Sequence, residues 1–209
     1  ILDFAIMNLA GSPLEMMLGP KTTEAALEAK AIQLGLDKPI YVQYFVWLKN
    51  VLQGNLGYSI KSYQPVSKLI GDHLGPTLLL MGTSLLLGLA IAIPLGIYSA
   101  VHRYKKRDYA LVTMSFFGTS VPSFFLSLIF IYLFTVKMGW LPSSGMKTAG
   151  GDGGILDILR HMVMPVLVLA ISITGSNIRY VRSAVLEILQ KEYVRTAKSK
   201  GIGRFLVIN

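Results

Sequence analysis

The sequence predicts an all-α fold, a bundle of membrane-crossing helices carrying a helical and irregular segment outside the membrane. Three observations lead there. Hydrophobic residues make up 53% of the 209 and mean hydropathy is +0.55. Only 15% of residues are charged, where a soluble domain carries about a quarter. Three apolar runs, residues 74–101, 109–136 and 161–178, hold no Asp, Glu, Lys or Arg. A membrane helix needs about 20 mainly apolar residues, so the first two suffice and the third is short.

Taken in order, the chain opens inside an apolar run (Ile1, Leu2, Phe4, Ala5, Ile6, Met7, Leu9) and reads as an internal piece of a longer protein, with residues 1–10 the end of a first membrane helix. Residues 11–73 are mixed in polarity and form an extracytoplasmic segment. A helix-like stretch runs there from Thr22 through Ile32 and stops at Gly35, and residues 41–52 are rich in aromatics (Tyr41, Tyr44, Phe45, Trp47), as at a membrane interface. The spans follow: a helix over 74–101, a turn over 102–108, a helix over 109–136, a glycine-rich outer loop over 137–160, a helix over 161–181 and a tail over 182–209. Each span contains a proline (Pro94, Pro122, Pro165), predicting kinks whose freed carbonyls neighbouring helices satisfy.

The formal charge of +9 raises the question of nucleic acid. Its distribution answers it. The 102–108 turn and the stretch from Arg179 onward hold 11 basic and 3 acidic residues, and the rest of the chain holds 9 and 8. The positive-inside rule makes the two basic regions cytoplasmic, and both fall on one side only if three helices cross. The charge is topology, in a multi-pass protein of a plasma or inner membrane.

Catalytic patterns are sparse. No Gly-Lys dipeptide occurs, so there is no Walker A loop to cradle ATP phosphates. There is no cysteine, and His73, His102 and His161 lie far apart without zinc-site spacing. Gly-Thr-Ser occurs at residues 82–84 and 118–120, but a serine nucleophile needs a histidine within reach at membrane depth, and His161 falls at the outer boundary. No cofactor or metal site is expected in this chain, and no catalytic residue. Uncharged spans argue against a proton- or ion-coupled secondary transporter, which remains the alternative of another class beside a non-transporting sensor.

Two stripes mark the helices. Gly88, Ala92, Gly96 and Ala100 recur every four residues, a small-residue face for close helix approach. Ser115, Thr119, Ser123 and Ser127 repeat in the same way on the next span, and Ser172 and Ser176 on the last. These hydroxyls read either as a weakly polar translocation lining or as packing groups bonded back to their own helices.

The tail holds the most informative stretch, Glu192-Tyr-Val-Arg-Thr-Ala-Lys-Ser-Lys-Gly201. Val194, Ala197 and Gly201 fall at i, i+3 and i+7, one small apolar face with Arg195, Lys198 and Lys200 around it. Gly201 suits a helix end, because glycine takes the left-handed conformation found there. A helix this short needs a partner to fold against.

Further motifs run in order with it: Gly11-Ser-Pro13, Gly35-Leu-Asp-Lys-Pro39 with Gln43-Tyr44 and Trp47-Leu48, Gly54-Asn-Leu-Gly57-Tyr-Ser59, Pro65-Val66, and Pro76-Thr77-Leu78. Together with Arg179-Tyr-Val-Arg-Ser183 the set resembles the oligopeptide/dipeptide permease subunits of bacterial ATP-binding-cassette importers, with Asn55 where that family usually has aspartate. The resemblance implies the bundle of a type I importer permease and a cytoplasmic coupling loop formed by Tyr193, Arg195, Thr196, Ala197, Lys198, Lys200 and Gly201. It also implies as partners a second permease, two ATPase subunits that bind ATP and magnesium, an extracytoplasmic binding protein, membrane lipid and a peptide substrate. Nickel chelates, glutathione and antibiotic peptides are alternative cargoes of the same family. After Gly201 the match fades, since residues 203–209 lack most of the expected charge.

Overall fold

The structure is a computed structural model and describes residues 35–59, 61–151 and 153–201, with Ile6 and Ile32 besides. The chain divides into two compact units, Ile1–Gly75 and Pro76–Asn209, taken in turn. The Gly11-Ser-Pro13 motif, the run from Thr22 up to Ile32, and residues 202–209 lie outside the described residues.

In the first unit, helix α1 (Ile40–Leu52) is held at both ends by the glycine motifs. Gly35 has φ +68°, the left-handed region that glycine enters without steric cost. The turn it opens leads to Pro39, and the Gln43 side chain reaches back to donate to the carbonyls of Leu36 (3.2 Å) and Lys38 (2.8 Å). That is the physical content of the Gly-Leu-Asp-x-Pro and Gln-Tyr spacing. No residue of α1 is buried, and Tyr41, Phe45 and Trp47 stand exposed. After α1, Gly54 (φ +79°) and Gly57 (φ +76°) flank Asn55, whose Oδ1 accepts from the Gly57 N–H at 3.1 Å. The Val66 N–H then bonds to the Gly57 carbonyl at 3.0 Å, starting helix α2 (Val66–Val101).

The second unit contains the rest of α2, then α3 (Lys106–Ser120), α4 (Ser123–Phe130) continued by a π-helical segment (Ile131–Lys137), α5 (Ile155–Leu189) and α6 (Glu192–Ser199). Helices α2 and α5 are long and apolar enough to cross a membrane, and the count rises to three if the bent pair formed by α3 and Ser123–Lys137 crosses as one. The α2 residues Gly88, Ala92, Gly96 and Ala100 are all buried, with Ser84 and Ser99 on the same face. Leu78, Leu85, Leu86 and Ile93, pointing elsewhere, are exposed. An apolar helix buried along one small-residue stripe is suited to lipid or further helices on its other sides.

The stripe meets α5 at backbone range. A Cβ placed on Gly88 would lie 2.6 Å from Ile173 Cγ2, and one on Gly96 would lie 2.7 Å from Val181 Cβ. Thr174 Oγ1 donates across the contact to the Gly88 carbonyl at 3.2 Å. Helix α3 approaches α5 just as closely, since a Cβ on Gly175 would sit 2.7 Å from the Ser115 carbonyl oxygen. Helix α5 is therefore the shared wall of the unit.

The expectation of one helix over 109–136 is corrected. α3 ends at Ser120, Val121 is extended (φ −77°, ψ 121°), and the following helix leaves at 92°. Proline has no N–H to bond back, and its ring pushes the preceding residue out of the helical region. Pro94 and Pro165 lie inside unbroken helices. The difference is in the backbone: Pro122 follows the extended Val121, whereas Pro94 and Pro165 follow Ile93 and Met164 inside continuous helices. The helices also run past their apolar cores. α5 begins at Ile155 and ends at Leu189, taking in residues expected in the outer loop and in the tail, because polar turns extend a helix as readily as apolar ones.

Candidate functional site

The basic end of the second unit is built from the α2–α3 turn, the last turns of α5, and α6. Asp108, the sole acid of the 102–108 turn, points inward and is 1% exposed. Its Oδ1 accepts from Ser99 Oγ at 2.5 Å and Arg182 Nε at 2.7 Å, and its Oδ2 from Arg182 Nη2 at 2.8 Å and the Tyr104 N–H at 3.0 Å. The Arg182 pair is bidentate, the strongest geometry available to a carboxylate. The turn's basic residues Arg103, Lys105, Lys106 and Arg107 remain at the surface.

After Leu189 the chain enters α6 through a short link in which Lys191 Nζ meets Glu187 at 3.0 Å. This carboxylate holds the Lys191 ammonium above the usual lysine range. In α6, Val194 is 3% exposed and anchors the helix. Tyr193, Arg195, Thr196 and Lys200 are exposed and Ala197 is half-buried. The side chain of Lys198 lies outside the described residues. Gly201 has φ +80° and a Cβ placed there would meet nothing within 4 Å, so the helix ends in the left-handed turn expected of glycine, at an open position. Thr196 and Ser199 donate back to the carbonyls of Glu192 and Arg195, which leaves their hydroxyls tied to α6. The result is a short basic helix anchored by Val194 and open on much of its circumference.

The hydroxyl stripe is divided by the bend. Ser115 and Thr119 lie on α3 and Ser123 and Ser127 on α4, on either side of the break at Val121. Ser115 donates to the Val112 carbonyl, Thr119 to that of Phe116, and Ser127 to that of Ser123. These are bonds back to their own helices. Ser172 is half-buried and Ser176 exposed on α5. What the structure does bring to Ser115 and Thr119 is Arg179. Its Nη1 donates to the Ser115 carbonyl at 3.1 Å and Thr119 Oγ1 at 3.2 Å, and its guanidinium stands 4.6 Å from the centre of the Phe116 ring. A cleft of about 720 Å³ between α2, α3 and α5 is lined by Leu87, Ile91, Leu111, Phe117 and Ile171. Ser115 reaches it, and the other five stripe residues do not.

Neither Gly-Thr-Ser serine is carried to a histidine. Ser84 is buried and donates to the Leu80 carbonyl at 2.6 Å. His161 Nδ1 bonds to the Asp157 carbonyl at 2.9 Å, and the pockets it lines contain neither Ser84 nor Ser120. Among the described residues no three His, Asp or Glu side chains come together as a metal site requires. Sequence reasoning missed two contacts here, Asp108 with Arg182 and Arg179 with α3. The available signal was the lone acid in a basic run and the i, i+3 spacing of the two arginines.

The family described as binding-protein-dependent transport system inner membrane component matches residues 92–209. A putative peptide permease protein of Brucella ovis is 42% identical over all of this chain, covering 66% of its own length. An oligopeptide transport system permease protein of Bacillus subtilis is 42% identical over 96% of the chain and 64% of its own length. A glutathione transport system permease protein of Escherichia coli is 32% identical over 96% of the chain and 62% of its own length. The chain thus spans about two thirds of the length of these relatives, and α2 from Ala92 onward, the bend, α5 and α6 all fall within the matched region. It belongs to the family of binding-protein-dependent transport system inner membrane components.

Proposed function

We propose that the chain is the membrane-spanning permease subunit of an ATP-driven peptide importer, and that α6 is where ATPase subunits engage it. The observation that carries this reading is α6 itself. It is anchored by the buried Val194, keeps Tyr193, Arg195, Thr196 and Lys200 exposed, and places Ala197 and Gly201 where a partner surface could close on them. With Lys198 these residues form the coupling set. The 209 residues hold no Walker A loop, which supports ATP and magnesium being held by partner subunits. A second permease completes the pathway, and an extracytoplasmic binding protein delivers the substrate. The basic end then faces the cytoplasm.

Peptide cargo is supported by the names of the relatives at 42% identity, and glutathione, itself a small peptide, by the one at 32%. The cleft wall at Ser115 is the candidate lining. Affinity purification of the full-length protein from its native membrane tests the assembly. Two ATPase subunits and a second permease should come with it, and a binding protein added back should carry a peptide. A protein that drives uptake in vesicles without any ATPase subunit would overturn the reading in favour of a secondary transporter.

A further inference from the structure

The buried group at the basic end does more than close the bundle. Asp108 receives donors from three separate segments: Ser99 on α2, Tyr104 in the turn and Arg182 on α5. Asp108 and Ser99 are 1% and 0% exposed, so water does not substitute for a lost partner. Tyr104 sits at φ +65°, a conformation costly for any side chain with a Cβ, and its N–H thereby reaches Oδ2. One residue before Arg182, Val181 packs directly against α2 at Gly96, where an added Cβ would lie 2.7 Å from its Cβ. The α5 helix then runs on without a break to Leu189, and α6 follows at Glu192.

We propose that Asp108, Arg182 and Ser99 form a positioning joint that makes the α2–α3 turn and the end of α5 move as one piece, so that displacement of α6 reaches three helices together. A bidentate pair on a buried carboxylate does not yield by small increments, because half-breaking it strands the Asp108 charge in a buried place. Movement entering at α6 along α5 is therefore handed to α2 and α3 whole. The proposal rests on α6 being the docking element, and the experiment separates the two ideas.

The chain has no cysteine, so spin labels at Lys106→Cys and Ile188→Cys report one distance across the joint in the fully assembled transporter in lipid vesicles. Both positions are exposed. The expected result is the same distance in nucleotide-free and ATP-bound states. A change approaching one helical turn, about 5 Å, overturns the joint. In parallel, substrate taken up per ATP hydrolysed is measured for Asp108→Asn, for Ser99→Ala and for Gly201→Arg. Asp108→Asn should lower the ratio about tenfold, the size of effect carried by coupling positions remote from a ligand. Ser99→Ala should lower it less. If Asp108→Asn keeps the ratio while Gly201→Arg loses it, the joint is wrong and docking stands. If Gly201→Arg keeps it, docking at α6 has failed. Should Asp108→Asn not assemble, the distance measurement alone decides, since it leaves the joint intact.

Discussion

Asn55 stands where the resembled peptide permeases usually carry aspartate, and its turn shows why either serves. The position needs an oxygen acceptor two residues before the Gly57 N–H, and Asn Oδ1 supplies it at 3.1 Å. Asn55→Asp is therefore expected to leave thermal stability in detergent unchanged, while Asn55→Ala loses about 1 kcal/mol through one unmade bond. A melting curve of the three proteins checks this. Asp108 is a harsher case. Removing its charge leaves Arg182 unpaired at a site whose carboxylate side chain is 2% exposed. Asp108→Asn is expected to cost about 3 kcal/mol, the low end for a broken buried pair because Arg182 is partly solvated. Of these two residues, Asn55 was legible in the sequence, since its motif is local. Asp108 was missed: a lone acid in a basic run was a signal, but its partner lies in a distant helix that local spacing does not identify.

At the scale of elements, the small-residue stripe was read correctly because close packing leaves a period that a sequence preserves. Gly88 and Gly96 approach α5 too nearly for a side chain, with Ile173 and Val181 branching at the contact. Gly96→Leu should push α2 off α5 and cost at least about 1–3 kcal/mol, the usual penalty of overpacking, read as loss of the folded monodisperse peak in detergent. A normal elution profile and melting temperature would contradict this packing. A kink at Pro122 was expected, as at Pro94 and Pro165, but not that this span alone would be broken by it. Proline occurs in every span, and nothing in the sequence beside Pro122 marks its span as the one that breaks. Pro122→Ala restores the missing N–H, and spin labels at Met114 and Leu133 should then move apart toward the roughly 28 Å of a continuous helix of that length. An unchanged distance would mean that α5 and not Pro122 holds the bend. Across this bend, Ser127 and Ser115 line different pockets.

For the whole molecule, composition and charge distribution determined the class, and the family match over residues 92–209 agrees with it. The fold is the all-helical one of type I importer permeases, in which apolar faces of α2 and α5 left exposed here suit lipid and neighbouring subunits. The motifs at Gly35, Gly54–Gly57 and Gly201 were legible because they have a local cause, a left-handed glycine or a side chain bonded to a nearby turn. The three-segment meeting at Asp108 arises only from packing, and so only the structure reveals it. Functionally, everything turns on whether α6 transmits force. Gly201 has open space around it but sits at φ +80°, so Gly201→Arg strains the end of α6 as well as meeting a partner docked there under the proposed function, and Ala197→Glu at a half-buried position is the companion variant. The direct measurement is peptide uptake per ATP hydrolysed by the reconstituted full transporter carrying Ala197→Glu or Gly201→Arg, each confirmed to insert at wild-type levels. Uptake should collapse in both while the subunit remains in the membrane; normal coupled uptake in both would contradict the assignment of α6 as the transmission element.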